Sequence, residues 1–531
     1  MGIKFGYLVN RINTTLSKKG EIKNLLRQPP IVNSLFILFL LATFMILYGT
    51  QIPLLRPQSV HQWRQSDSAS YALNYYQKNT GFFHPQTMNM RGEDCEMVSE
   101  FPIIYYLTSI FYKWFGFNEI ILRLITYSFF AIGLFFLFKL SLQLFGNRVI
   151  MAFVPPIFLL SAPYVSYYAL NFLSNVPALG MTLAAWHFYF NWWKKEKSYY
   201  LWAGMCFMTI GMLLKPIVGI SLIAFLMTSI FKYFSLFGLK PFSQPSKRLV
   251  TLLISSFLVI SINVLWIYFA KKYNSDSGYR HNLLGVLPIW NMEKEHILET
   301  FKLLRIKWGY QLYYPPIFPI VVLGIISMFF LRKIISKPLL IATVLLILGQ
   351  ICYFFLYFET FYHHDYYLIN VIIAPLFILI SNVDGWIRMK KPRWVVPIVT
   401  FLMVFTIAVS FKHSRFIIRE RYFGSLWEGV NRDLESVEPY LRSIGVNRKD
   451  LVVSVPDKSP NISLYLMNQQ GWTEIFNTEE YDMHHFVEQG AKYLIINDSS
   501  YINNEPYYQY TYNKVGQFRS ISVFNLDQNS K

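Results

Sequence analysis

The sequence predicts an all-α polytopic membrane domain of about eleven spans followed by a small soluble α/β domain. Three observations predict it. Hydrophobic residues make up 54% of the 531 positions and charged residues only 15%, whereas a soluble domain carries about 25% charged residues. Apolar stretches of membrane-spanning length recur from Ile31 to residue 411, with basic clusters in alternate connections. Beyond residue 412 the pattern turns to short helical stripes and short apolar strands.

The elements follow in order. Residues 1–30 hold Lys4, Arg11, Lys18, Lys19, Lys23 and Arg27 against one acid, Glu21, which predicts a cytoplasmic basic N-terminus. The first apolar run, Ile31 to about Tyr48, has no small-residue cleavage site after it and reads as an uncleaved anchor. Further runs lie at 118–138, 150–168, 175–193, 200–214, 216–234, 249–269, 316–331, 338–357, 366–383 and 394–411. The break at Leu214-Lys215-Pro216 is short enough for a tight hairpin.

With the N-terminus inside, the predicted cytoplasmic connections hold Lys139 and Arg148, then Lys194, Lys195 and Lys197, then Lys232, Lys240, Lys247 and Arg248. Arg332, Lys333 and Lys337 follow, and finally Arg388, Lys390, Lys391 and Arg393. Every predicted inside loop is basic, as orientation by positive charge requires, and Trp192, Trp193, Trp202, Trp386 and Trp394 flank the same loops as interfacial anchors. An odd number of spans puts the C-terminus outside the cytoplasm, together with the long segments 50–117, 270–315 and 358–365.

Within 50–117, Ala69, Ala72, Leu73 and Tyr76 fall on one helical face, with Ser66 or Asp67 able to cap its start. Residues 102–115 are apolar and aromatic but too short to span. Both are expected as helices in the interface plane. The stretch 293–308 is amphipathic as well, with Ile297, Phe301, Leu304 and Trp308 on one side.

In the tail, Trp427, Val430, Leu434, Val437 and Leu441 form a helical stripe that stops at Gly445. Leu451 to Val455 and Lys492 to Ile496 read as buried strands, and Thr478 with Glu479 and Glu480 opens a helix that Gly490 closes. The division expected is therefore 1–30, a transmembrane domain over 31–411, and an extracytoplasmic α/β domain over 412–531.

A net charge of +19 raises the question of nucleic acid. The basic residues sit in short clusters between apolar runs, and neither a zinc-finger pattern nor an RNA-recognition signature is present, so no nucleic-acid partner is expected. The cysteines Cys95, Cys206 and Cys352 define neither a disulfide framework nor a metal knuckle.

The stretch that points to chemistry runs from His61 to Tyr71, outside the first span. A carboxylate there lies at the membrane surface, where a lipid headgroup and a polar acceptor can meet and an attacking hydroxyl can be deprotonated. The plainer reading makes Asp67 a helix cap.

Here the chain resembles the GT-C membrane glycosyltransferases related to protein O-mannosyltransferases and lipid A aminoarabinose transferase. Their first outer loop carries an acidic motif, roughly D-E-x-x-Y. Asp67-Ser68-Ala69-Ser70-Tyr71 keeps its Asp and Tyr, with Ser68 in place of the second acid. Glu100-Phe101-Pro102-Ile103-Ile104-Tyr105 is similar to an acid-Lys-Pro-Pro-x-x-Y run but lacks the Lys that contacts lipid phosphate in relatives. Asn175 stands where relatives often have an Asp, Leu214-Lys215-Pro216 resembles a Lys-Gly-Pro hairpin, and His364-Asp365-Tyr366-Tyr367 is similar to an aromatic entry to a late span. The resemblance covers residues 31–411 in layout.

It implies an inverting transfer of a sugar from a polyprenyl-phosphate donor to a glycan, lipid or protein acceptor at the outer face of the plasma (inner) membrane. Asp67 would be the base and Glu100 the next carboxylate to consider. Arg64, Arg91, Lys215, Arg280 and His281 are the candidates for phosphate, and Tyr71, Asn175, His364 and Tyr366 complete the expected substrate site. His363 and His364 with Glu100 could together bind a divalent metal, but adjacent histidines are weak grounds, and neither a metal nor a cofactor is assigned. Trp472, Tyr481, His484 and His485 could line an acceptor site, or the tail could be a structural lid.

Three other functions share parts of this layout. A transporter would place ionisable groups at mid-membrane, where these spans are nearly free of charge. A lipid-linked glycan ligase or polymerase would show a large late outer loop with arginines. A receptor or sensor would bind its ligand through the tail.

Overall fold

The structure is a computed structural model that describes residues 28–279, 285–389, 395–427, 429–474 and 483–527. The basic segment before residue 28, Arg280, His281, Lys390, Lys391, Arg393, the helix start at Thr478–Glu480 and Tyr481 lie outside the described residues.

Each predicted apolar run is helical where it is described. In chain order the helices are α1 (Pro29–Tyr48), α2 (Gln62–Gln77), α3 (Ile103–Phe115), α4 (Glu119–Leu144), α5 (Val149–Leu160), α6 (Pro163–Ala169), α7 (Asn175–Lys195) and α8 (Ser198–Leu214). They continue with α9 (Pro216–Tyr233), α10 (Pro245–Asp276), α11 (Lys294–Leu312), α12 (Ile317–Leu331), α13 (Lys337–Leu356), α14 (Asp365–Arg388) and α15 (Val395–Phe423).

Among the described residues, six helices are long and apolar enough to cross a membrane, and eight if each bent pair is one span. The chain is a multi-pass membrane protein. Three of the eleven expected runs lie outside that count: α8 has only 17 residues, α7 carries polar residues along its length, and α15 adjoins residues outside the described ones.

Proline sets the breaks. Pro163 opens α6 at 80° to α5, and Pro315-Pro316 precede α12, which turns 88° from α11. Between α4 and α7 the backbones meet directly. A Cβ on Gly133 would lie 2.3 Å from the Cα of Gly180, so only glycine permits this crossing.

The connection between α1 and α4 holds α2 and α3. The sequence expectation that Ser66 or Asp67 caps α2 is corrected here. The helix starts at Gln62, its N-cap is His61 at φ 56°, and Asp67 sits in the second turn. The expected apolar face is buried at Ala69, Ala72 and Leu73, but so is most of the polar face, including Arg64, Gln65, Ser66, Asp67, Ser68 and Ser70. Rather than lying with one side against lipid, α2 is enclosed. By contrast α3 keeps an amphipathic character, burying Ile104, Tyr105, Thr108 and Tyr112 while Trp114 and Phe115 are exposed, as suits an interfacial helix.

The tail contains α16 (Glu438–Ser443), β1 (Leu451–Val455), α17 (Ile462–Met467), β2 (Gly471–Thr473), α18 (Met483–Glu488), β3 (Ala491–Ile496), β4 (Lys514–Phe518) and β5 (Ile521–Asn525). The strands form one five-stranded sheet in the order β2-β1-β3-β5-β4, with β1 parallel to β2 and β3 and with β5 antiparallel to β3 and β4. The two strands expected from sequence are its centre. The single helical stripe expected over 427–441 is instead divided into a short 3₁₀ turn, Arg432–Glu435, and α16. Pro439 lacks the N–H that would continue a helix from the preceding turn, so a new one starts there. Leu434, Val437 and Leu441 are buried as the stripe required.

The sheet does not end at β2. Gly471 N–H donates to Met88 O (3.1 Å) and Met90 N–H donates to Gly471 O (2.8 Å), so the stretch 88–90 adds to the sheet edge. A Cβ at Gly471 would lie 1.8 Å from Val452 O, so glycine is required where these backbones converge. This docking lays α17 against α2 and encloses it.

Candidate active site

Between α2, the 90–100 segment, the entry to α14 and the tail lies a cavity of about 1380 Å³. Asp67, Arg64 and Trp63 reach it from α2, where positions 63, 64 and 67 share one face. Glu100, Ser99 and Arg91 come from the following segment, Lys215 from the residue between α8 and α9, and His363, His364, Tyr366 and Tyr367 from the start of α14.

The two carboxyls sit in contrasting surroundings. Glu100 accepts hydrogen bonds from Arg64 Nη2, Tyr105 Oη and Ser99 Oγ, and Lys215 Nζ stands 3.5 Å from it. Burial pushes the Glu100 carboxyl up, but Arg64, Lys215 and Tyr105 outweigh it and hold the pKa down at about 2. Asp67 is 4.0 Å from Arg64 Nη1, and its Oδ1 has no hydrogen-bond partner among the described residues. Burial, opposed by Arg64 and reinforced by Glu100, pushes Asp67 up to about 7. The burial that lifts Asp67 lowers Lys215, against the pull of Glu100.

A second buried network fixes the N-terminus of α2. Asp365 accepts from Tyr168 Oη (2.5 Å) and from Arg421 Nη2, and His61 Nε2 lies 3.0 Å from its Oδ1. Arg421 also donates to Gln311 Oε1 (2.8 Å), and its guanidinium lies over Tyr164 and Tyr167, 4.6 Å from each ring centroid. The His61 ring packs edge-on to Tyr366, and His364 stacks on Tyr366 with centroids 5.3 Å apart. Burial, with His61 and His363 adding to it, lowers His364 to about 3, so the ring is neutral.

The structure brings Asp67, Glu100, Arg64, Arg91, Lys215, His364 and Tyr366 to one cavity. Tyr71 stands behind it, its hydroxyl 3.5 Å from Ser99 Oγ. Asn175 is buried at the start of α7, with Nδ2 3.4 Å from Tyr366 O, and does not line the cavity. Of the tail residues considered for an acceptor site, Trp472 and His485 line the cavity, while His484 pairs with Glu488 at 3.3 Å on the surface. Among the described residues, no group of three or more His, Cys, Asp or Glu is arranged to hold a metal ion, so His363, His364 and Glu100 do not form one.

Sequence reasoning passed over Trp63, Ser99 and Tyr367, which neighbour residues it had singled out. It also missed Arg421 and Asn461, for which nothing local gives a signal. Asn461 Nδ2 donates to Ser70 Oγ (3.0 Å) and its Oδ1 accepts from Met88 N–H (3.2 Å). The Asn461 amide also helps draw the Asp67 pKa down, against burial.

The helical membrane region with its docked C-terminal sheet has the GT-C type of fold, as its likeness to solved structures shows. ArnT from Cupriavidus metallidurans in the apo state superposes with a TM-score of 0.57 at 12% identity, covering 92% of this chain and 97% of that one. The same protein bound to undecaprenyl phosphate gives 0.59 at 13%, covering 93% and 98%. The arabinofuranosyltransferase AftD from Mycobacteria (mutant R1389S) gives 0.56 at 10%, covering 93% of this chain but 41% of that longer one. Residues 99–276 match the family described as dolichyl-phosphate-mannose-protein mannosyltransferase. That stretch includes Glu100, Asn175 and Lys215 and begins after Asp67. No curated protein matches the chain. The resemblance read from the sequence is thus borne out at the level of fold, and the family match covers the stretch that holds Glu100 but not Asp67.

Proposed function

We propose that the protein transfers a sugar from a polyprenyl-phosphate donor to an acceptor hydroxyl on the extracytoplasmic face of the inner membrane. The observation that carries this reading is Asp67. It is a buried carboxylate with a free oxygen and a pKa raised to about 7, in a large cavity with the buried Arg64 and the half-buried Lys215.

The reaction is a single displacement. Asp67 takes the proton from the acceptor hydroxyl, and the acceptor oxygen forms its bond to the anomeric carbon. The bond from that carbon to the phosphate oxygen breaks, and the polyprenyl phosphate leaves with the electron pair. Arg64 and Lys215 stabilise the charge that grows on the leaving phosphate. Attack opposite the leaving group inverts the anomeric centre. Glu100, held ionised between Arg64 and Lys215, orients both cations. Support for the lipid donor comes from ArnT, whose structure was solved with undecaprenyl phosphate bound, and from the mannosyltransferase description of the matched family. Support for the sidedness comes from the basic alternate connections.

Purified protein in detergent, given a polyprenyl-phosphate sugar and a cell-envelope acceptor fraction, is expected to release polyprenyl phosphate. Turnover on a nucleotide sugar alone would overturn the proposal.

A further inference from the structure

We infer that Asn461, a residue of the C-terminal sheet region, is a positioning residue for Asp67, holding from the tail the turn of α2 that carries the carboxylate. The inference rests on the transferase reading above, in which Asp67 is the base, and adds a residue of the tail to the setting of that base.

Asn461 is the N-cap residue of α17, and it is fully buried. An asparagine there ordinarily turns its side-chain oxygen onto the first free N–H groups of its own helix. Here it does not. Two other side chains meet that need: Ser459 Oγ accepts from Ile462 N–H (3.0 Å), and Asp457 Oδ2 accepts from Ser463 N–H (2.7 Å). The Asn461 amide is thereby left to reach out of the tail. Its Oδ1 accepts from Met88 N–H (3.2 Å), and its Nδ2 donates to Ser70 Oγ (3.0 Å) and, at 3.4 Å, to Ser66 O.

Ser66 and Ser70 bracket the base. Ser70 Oγ, which receives the amide, donates in turn to Asp67 O (2.7 Å), so a relay of two hydrogen bonds runs from the tail to the backbone of Asp67. Both serines are buried, where a lost bond leaves a polar group unsatisfied. The amide acts on the carboxyl as well. Burial raises Asp67, and Arg64 first and then Asn461 draw it back. The charges that act on Asp67 are Arg64 on its own helix, Glu100 of the outer segment and Asp457 of the tail, while burial keeps Tyr71 neutral. Further along the same cavity stand Arg91, Glu93 and Asp94, Lys215, and the histidines His363, His364 and His485. An uncharged substitution at Asn461 alters none of these charges, so a change in the titration of Asp67 reports the amide itself.

The test compares the full chain in lipid nanodiscs as wild type, Asn461→Ala, Asn461→Ser and Ser459→Ala, each with and without Asp67→Asn. Asn461→Ser keeps a good helix cap but is one bond short of the relay. Ser459→Ala removes a cap of the same helix and leaves the amide in place. Infrared titration follows the protonated Asp67 carboxyl as the difference from the matching Asp67→Asn protein. Its midpoint is expected at about 7 in wild type, and about one pH unit higher in both Asn461 variants. The rising limb of kcat/KM on a polyprenyl-phosphate sugar should move by the same amount, so that activity falls about tenfold near pH 6 and little near pH 9. Ser459→Ala should leave both midpoints where wild type has them. An unmoved infrared midpoint in either Asn461 variant, an equal shift in Ser459→Ala, or failure of both Asn461 variants to fold would each overturn the inference. A shifted infrared midpoint without a matching move of the limb, or in protein whose wild type transfers no sugar, would instead count against the transferase reading and leave the hold of Asn461 on Asp67 standing.

Discussion

Asp67 and Glu100 are carboxyls of one cavity, and their neighbours give them opposite characters. Glu100 is saturated by Arg64, Lys215 and Tyr105, whereas Asp67 keeps an unbonded oxygen. Under the proposed mechanism, Asp67→Asn lowers transfer about 10²–10⁴-fold while the protein stays monodisperse in detergent, because an amide cannot take the acceptor's proton. In wild type, kcat/KM rises as pH climbs through about 7 and then levels, since the ionised carboxylate is the active form.

The stability effect has the opposite sign. A carboxyl whose folded-state pKa is raised from 3.8 to about 7 favours the folded state most at low pH, and that advantage is lost as pH rises through 7. At pH 8 the Tm of Asp67→Asn is therefore expected at or above wild type, and a clear drop would mean that the side chain is structural. Glu100→Gln should behave differently. With Arg64 and Lys215 no longer held, the KM for the lipid donor rises, and the pH limb near 7 remains because Asp67 still supplies it. Loss of that limb in Glu100→Gln would reverse the two assignments.

At the scale of elements, α2 is aimed by a helix far from it in sequence. Arg421, near the end of α15, pairs with Asp365 at the start of α14, and Asp365 contacts His61, the left-handed residue from which α2 begins. Tyr164, Tyr167 and Tyr168 of α6 enclose the guanidinium. Removing one partner of a fully buried ion pair leaves an uncompensated charge and costs about 3–5 kcal/mol. Arg421→Met is accordingly expected to lower the thermal unfolding temperature sharply, and adding Asp365→Asn to recover much of the loss. Equal damage from the single and double variants would show that the packing of the guanidinium, and not its charge, holds α2.

Over the whole molecule, the C-terminal sheet shares a backbone edge with the 88–90 stretch and a cavity with the helical region. The 88–90 stretch completes the sheet while Asn461 and α17 cover the helix that carries Asp67. Deleting the tail would open the cavity whatever the protein does, so deletion does not separate a sensor from a transferase. The proposed sidedness can be tested with the chain intact. A reporter active only outside the cytoplasm, fused after Lys531, is expected to give signal, and the same fusion to a cytoplasm-only reporter is expected to be silent. The reverse pattern would place the cavity on the side where nucleotide sugars are made and undo the argument for a lipid donor.

Much of the architecture was legible in the chain because it depends on local chemistry. Apolar run length places a helix wherever lipid leaves the backbone no other hydrogen-bond partner, and α1, α4, α10 and α13 follow directly. Strand chemistry in Leu451–Val455 and Ala491–Ile496 located the centre of the sheet, while β4 and β5, with less apolar sequence, were missed. Asp67, Glu100, Arg64 and Lys215 were legible as charged residues of the outer segments and the short hairpin, singled out by the motifs they resemble. Which of them is free could not be read from the chain. Asp67 and Glu100 carry the same group, and the difference in their pKa arises from neighbours far away in sequence: Lys215 acts on Glu100 from 115 residues away and Asn461 on Asp67 from 394. The burial of α2 and the part played by Arg421 were likewise decided by the tertiary structure. Burial and the field at a carboxylate are sums over everything nearby in space, and only the folded chain determines what is near.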